Sequence, residues 1–209
     1  MIHYNLISIT MYSTPKSKEI IEKTIAALKA NGIEAIVVND KTDAKAKALE
    51  LIPKEASVMT MTSVTLDELG IAKEINESGK YNSVRAKLGT ITDPDTKRQI
   101  ANAPQYTIGS VHAVTQDGKV IIASNTGSQL SAYAYSASHV IWVVGTQKIV
   151  ENLDDGMKRI YEYTLPLESV RAQKAYGSKG SFVSKMLIVN KEVTPGRITI
   201  IFVPENIGF

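Results

Sequence analysis

The 209-residue chain contains no cysteine. Disulfides, thiolate nucleophiles and iron–sulfur clusters on its own cysteines are therefore excluded. Histidine is nearly as scarce: His3, His112 and His139 stand far apart in no ligand spacing, so no metal site is expected. No run approaches the roughly 20 apolar residues of a membrane span. The opening MIHYNLISITMYS lacks the basic start and small-residue cleavage site of a secretory signal, which makes a cytoplasmic location the expectation. Basic runs with interleaved aromatics are missing too. The 24 basic and 21 acidic residues are interspersed, leaving a formal charge of +3, and nucleic-acid binding is not expected.

What is present is a globular composition, 44% hydrophobic and 22% charged, in a length suited to one domain that folds unaided. Residues 1–14 read as an N-terminal arm, loose or forming a short extra strand, and 15–209 as a single domain. Thr14-Pro15 predicts a helix start, a hydroxyl cap followed by proline in the first turn, and Asn31-Gly32 its end. IEAIVV (33–38) and SVMTM (57–61) predict strands, with an alanine-rich helix over 42–52 between them. Thr65-Leu66-Asp67-Glu68 has the form of a capping box, so a helix is expected from there. Residues 72–104 are polar and predict two helical pieces, the second opened by Asp93-Pro94.

A strand is expected over 106–115, then a Gln-Asp-Gly turn, a strand over 120–124, the loop Asn125–Gln129 and a small-residue helix. HVIWVVG (139–145) is continuously apolar, as a strand buried on both faces must be. A helix over 148–163 ended by Pro166, and a closing hairpin of 186–190 with 197–203, complete the reading. The alternation predicts an α/β fold with a mostly parallel sheet between helical layers.

In such sheets, ligands bind beyond the carboxyl ends of the strands, where backbone N–H groups are free. Four segments have that placement: Thr60–Thr65, Gly109–His112, Asn125–Gln129 and Gly145–Lys148. All are rich in glycine, hydroxyls or both. Ser63, Thr65, Gly109, Thr126, Gly127, Ser128 and Lys148 are the candidate anion-binding residues. His112 is the candidate for proton transfer, since an unperturbed imidazole titrates near neutrality. The segment Tyr176–Ser181 has the composition of a mobile lid. Trp142, Tyr133, Tyr135, Tyr161 and Tyr163 read as core packing, and His139 as structural.

The run Gly109-Ser-Val-His-Ala-Val-Thr115, the loop Asn125-Thr-Gly-Ser-Gln129 and the run Val140-Ile-Trp-Val-Val-Gly-Thr-Gln-Lys-Ile-Val150 together resemble the LUD-domain family. More closely they are similar to its lactate-utilisation protein C branch, a domain of unknown function. Met61–Gly70, Arg159–Pro166 and Asn190–Thr199 agree with that resemblance, which covers about residues 15–209. It implies a three-layer α/β/α fold of the superfamily that holds ribose-phosphate isomerases, glucosamine-phosphate deaminases and CoA transferases. It also implies a role in L-lactate oxidation to pyruvate beside iron–sulfur partner proteins, with no cofactor on this chain.

Against the isomerases, Ser63-Val-Thr65 resembles a phosphate-gripping turn, Gly109–Thr115 an acidic catalytic loop and Asn125–Gln129 a glycine-rich loop bearing a lysine. Gln147–Val150 resembles a further anion-facing segment. Gly109 and His112 stand where that acidic loop has aspartates, and Asn125–Gln129 has no lysine. Sugar-phosphate isomerisation needs a carboxylate base, so the resemblance implies an anion-binding cleft without that reaction. Two other readings remain: a non-catalytic subunit docking onto an iron–sulfur oxidoreductase, and an enzyme acting on a sugar phosphate or CoA ester.

Overall fold

The computed structural model describes residues 6–209. The first five residues of the expected arm, His3 among them, lie outside the described residues. Among the described residues ten strands form two sheets. They are β1 (Glu34–Val37), β2 (Ser57–Thr60), β3 (Asn82–Ser83), β4 (Tyr106–Gly109), β5 (Ala113–Thr115), β6 (Val120–Ser124), β7 (His139–Gly145), β8 (Ile149–Val150), β9 (Lys185–Val189) and β10 (Ile198–Val203). The main sheet is wholly parallel, in the order β1-β10-β7-β4-β2-β3. A smaller sheet, β8-β5-β6-β9, is mixed.

The helices are α1 (Leu6–Ser13), α2 (Lys18–Ala30), α3 (Lys41–Glu50), α4 (Val64–Glu68), α5 (Ile71–Glu77), α6 (Val84–Leu88), α7 (Pro94–Asn102), α8 (Leu153–Arg159) and α9 (Leu165–Tyr176). Among the described residues no helix is long and apolar enough to cross a membrane.

The strand pleat sends alternate residues to opposite faces, and here each face finds a different cover. Ile141 and Val143 of β7, with Ile201 and Val203 of β10, pack under Ala44 and Ala48 of α3 and Leu66, Ile71 and Ile75 of the α4–α5 region. Val140, Trp142 and Val144, with Ile200 and Phe202, pack against Ile21 and Leu28 of α2 and against Val114, Val120 and Ile122 of the small sheet. The outer face of the small sheet carries its own cluster, Ala113, Ile121, Ala123 and Val150, closed by Ile160. The fold is thus α/β in layers about a parallel sheet, with the small sheet inserted between that sheet and α8–α9.

Several expectations need correction. The arm is helical over its described part: Tyr12 of α1 is buried and meets the Tyr163 ring at 5.8 Å. Thr14-Pro15 falls between two helices, and Ser17 caps α2 by accepting from Ile20 N–H; the residue before proline is driven out of helical geometry. Ser63, two residues before the expected capping box, caps α4 by accepting from Leu66 N–H. Residues 106–115 are two strands because the chain leaves the main sheet after Gly109 and joins the small one at Ala113.

The long helix over 148–163 is a tight turn, strand β8, α8 and a wide π-helical turn, Ile160–Thr164. Pro166 sits in the first turn of α9, where its missing N–H costs nothing. The closing hairpin does not form: β9 pairs with β6, whereas β10 enters the main sheet between β1 and β7. Tyr135 and Tyr161, expected in the core, are 89% and 50% exposed.

Candidate functional site

Because β2, β4 and β7 run parallel, the segments that follow them must emerge on one side of the sheet. The loop after β6 meets them there. Between these four segments and the stretch from Thr164 to Val183 lies a cleft of about 410 Å³. Ser63, Thr65, His112, Thr126, Ser128 and Lys148 line it, as do Ser110, Gln129, Tyr133 and parts of the segment Tyr176–Val183.

Gly109 and Gly127 are not on its wall. Gly109 allows the Tyr133 hydroxyl against the β4 backbone, since a Cβ there would lie 1.8 Å from that oxygen. Gly127 adopts φ +85°, turning the loop, and its N–H is taken by Ser124 Oγ at 2.9 Å. The Ser128 N–H meets Thr126 Oγ1 at 3.3 Å. Two N–H groups of this loop are thus already engaged locally, and Thr126 and Ser128, whose hydroxyls lie 3.1 Å apart, line the cleft.

At the deep end sits Lys148, only 1% exposed. Its Nζ donates to Thr65 Oγ1 at 3.1 Å and Ser110 Oγ at 3.0 Å, and the two hydroxyls lie 3.3 Å apart. No acidic side chain among the described residues pairs with it. Glu68, whose field reaches it, accepts instead from the Gly208 N–H at 3.0 Å. Burial, reinforced by the Arg159 guanidinium, holds the Lys148 amine well below the usual lysine range.

Arg159 lies behind the cleft wall with no exposed surface. Its Nη1 donates to the His112 carbonyl and, at 3.0 Å, to Thr164 Oγ1, while Nε and Nη2 have no partner among the described residues. The Tyr163 ring, 5.2 Å from the guanidinium carbon, offers the π face that a buried cation favours. Burial brings its pKa to about 10, so it remains charged at neutrality.

The His112 ring is fixed by the neighbouring strand: the Ala123 N–H donates to Nδ1 at 3.1 Å. Nδ1 therefore carries no proton, and the neutral ring has its N–H on Nε2. Burial first, then Lys148 and Arg159, push its pKa down to about 3. The ring thus stands neutral at the cleft, with Nδ1 committed to the β6 backbone. At the rim, Arg171 grips Glu168 through two bonds of 2.7 Å, and burial raises the Asp67 carboxyl despite Arg171 and Arg85 nearby. Among the described residues no His, Asp or Glu cluster suited to a metal forms.

The LUD domain profile matches residues 21–203. The chain belongs to the LUD-domain family. Its fold is shared with a DUF162 family protein from Deinococcus radiodurans, whose crystal structure at 1.70 Å superposes with a TM-score of 0.55 at 12% identity, over 90% of this chain and 99% of that one. None of the curated proteins matches it.

Ser110 on the wall of this LUD domain's cleft, and Arg159 behind it, escaped the sequence reading. Ser110 lay inside a segment already singled out, yet nothing in its spacing separated it from Gly109. Arg159 fell in an expected helix and opened a family-like run, with nothing to mark its own side chain. Only the wide turn that follows it, a geometry frequent at functional sites, brings Thr164 onto its guanidinium.

Proposed function

We propose that this LUD domain binds a small carboxylate or phosphate-bearing anion in the cleft and supports oxidation of L-lactate, or a related 2-hydroxy acid, to pyruvate beside cytoplasmic iron–sulfur proteins. One observation carries the binding half: Lys148 is buried at the cleft without an acidic partner. Taking a cation out of water costs several kcal/mol unless a counter-charge offsets it. An anion entering the cleft supplies that charge, draws the amine toward its ammonium form and feels the field of Arg159 as well. The Nε2–H of His112 offers a neutral donor for the second oxygen of a 2-hydroxy or 2-oxo acid.

The oxidative half rests on the resemblance of the ordered motifs to the lactate-utilisation branch and on the chain's composition. With no cysteine, electrons leaving the substrate need a redox centre held otherwise than on cysteine thiolates of this chain, and an iron–sulfur partner provides one. A thermal-shift series with L-lactate, pyruvate, glycolate, ribose 5-phosphate, CoA and phosphate tests the site. A ligand at about 100 times its Kd adds roughly 2.7 kcal/mol of stability, and Lys148→Met should erase the shift. No shift with any of them, together with co-purification of a cysteine-rich protein, would replace this reading with that of a docking subunit.

A further inference from the structure

Anion binding leaves unused a second capacity of Lys148. A lysine buried for structure alone is ordinarily met by a carboxylate, as charge burial demands; among the described residues this one meets only the hydroxyls of Thr65 and Ser110, at 3.1 and 3.0 Å. A hydroxyl can donate as well as accept, so this pair orients the amine whether or not it carries the third proton. We propose that Lys148 Nζ forms an imine with the C2 carbonyl of a 2-oxo acid held in the cleft. The inference rests on the preceding reading that the cleft takes a small acid anion.

The surroundings suit that step. Burial favours the unprotonated amine, which is the nucleophilic form. The cleft of about 410 Å³ falls within the common range for small-ligand sites and admits a three-carbon acid. His112 presents a neutral Nε2–H that can hydrogen-bond the carbonyl oxygen as negative charge develops on it. The Arg159 field favours a nearby carboxylate. The Nζ–C2 bond forms as the carbonyl π bond opens, and the C2–O bond then breaks. Both protons of the neutral amine leave with that oxygen as one water, so nothing is oxidised or reduced.

The test treats the full chain with pyruvate and sodium cyanoborohydride, followed by peptide mass mapping, with a parallel thermal shift by pyruvate alone. Hydride reduction of the protonated imine fixes on lysine the mass of pyruvate less one water plus two hydrogens. The expected result is about one label per chain, on the peptide containing Lys148. Excess L-lactate, which has no carbonyl at C2, should suppress it by occupancy. Pyruvate that stabilises the fold while the Lys148 peptide keeps its mass overturns the imine and leaves the anion site standing. Labelling equal to that of exposed Lys18 and Lys158 overturns it as well. Neither stabilisation nor label removes both readings together.

Discussion

Two buried cations stand at opposite ends of neighbouring parallel strands. Arg197, just before β10 and 7% exposed, bonds through all three guanidinium nitrogens. It meets Glu192 at 2.7 Å and donates to the carbonyls of Ala137 at 3.0 Å, Ala132 at 3.1 Å and Tyr133 at 3.0 Å. Lys148, just after β7, has two hydroxyls and no carboxylate. The first cation knits the loop after β9 and the wide turn Ala132–Ser136 to the amino end of the sheet. The second finds hydroxyls but, among the described residues, no carboxylate at the carboxyl end, where the loops open into a cleft. Equal burial with unequal satisfaction separates a residue that holds the fold from one that costs it stability in exchange for a site.

The largest effect expected is at the satisfied end. Arg197→Met strands the Glu192 carboxylate, itself 10% exposed, and frees three carbonyls. A loss of about 3–5 kcal/mol in chemical denaturation follows from breaking such a pair; a near-neutral outcome would end the contrast.

Next comes acid. His112 has its native pKa depressed to about 3 from an ordinary 6.5, so the unfolded chain takes up this proton first as pH falls. Its contribution is complete above about pH 6.5 and is lost progressively down to about pH 3. Unfolding free energies from urea titrations across that window should fall by a few kcal/mol, with a shallower decline for His112→Gln.

Lys148→Met should move stability the other way, by a gain of about 2 kcal/mol, because a well-packed apolar chain replaces a buried amine that has no carboxylate to offset its desolvation. The same variant loses any ligand-induced shift. If it destabilises as Arg197→Met does, Lys148 is structural. The smallest effect is a control at the cleft edge: Ser63→Ala removes the α4 cap for about 1 kcal/mol and leaves the two Lys148 contacts in place.

The strands were legible wherever burial on both faces made them continuously apolar. HVIWVVG reads as a central strand and is one, flanked by β10 and β4. Asp93-Pro94 reads as a helix start, and Asp93 caps α7 through the Thr96 N–H. Caps two or three residues from competing hydroxyls were misread, as at Ser17 and Ser63, because tertiary contacts choose among nearby side chains of equal capping ability. Thr65, the expected cap, is drawn away to Ser110 and Lys148.

Local chemistry by itself determined that this is an α/β chain without thiol chemistry, and that hydroxyl- and glycine-rich segments follow its strands. Both depend on residue type and near-neighbour periodicity. Which strands pair, that residues 106–115 divide between two sheets, and that Thr65, Ser110, His112 and Lys148 converge on one cleft were decided only by the tertiary structure. Those contacts join residues up to 83 positions apart. The same is true of the charge state at the site: burial and the Arg159 field set the titration of His112 and Lys148, and neither exists until the chain has folded.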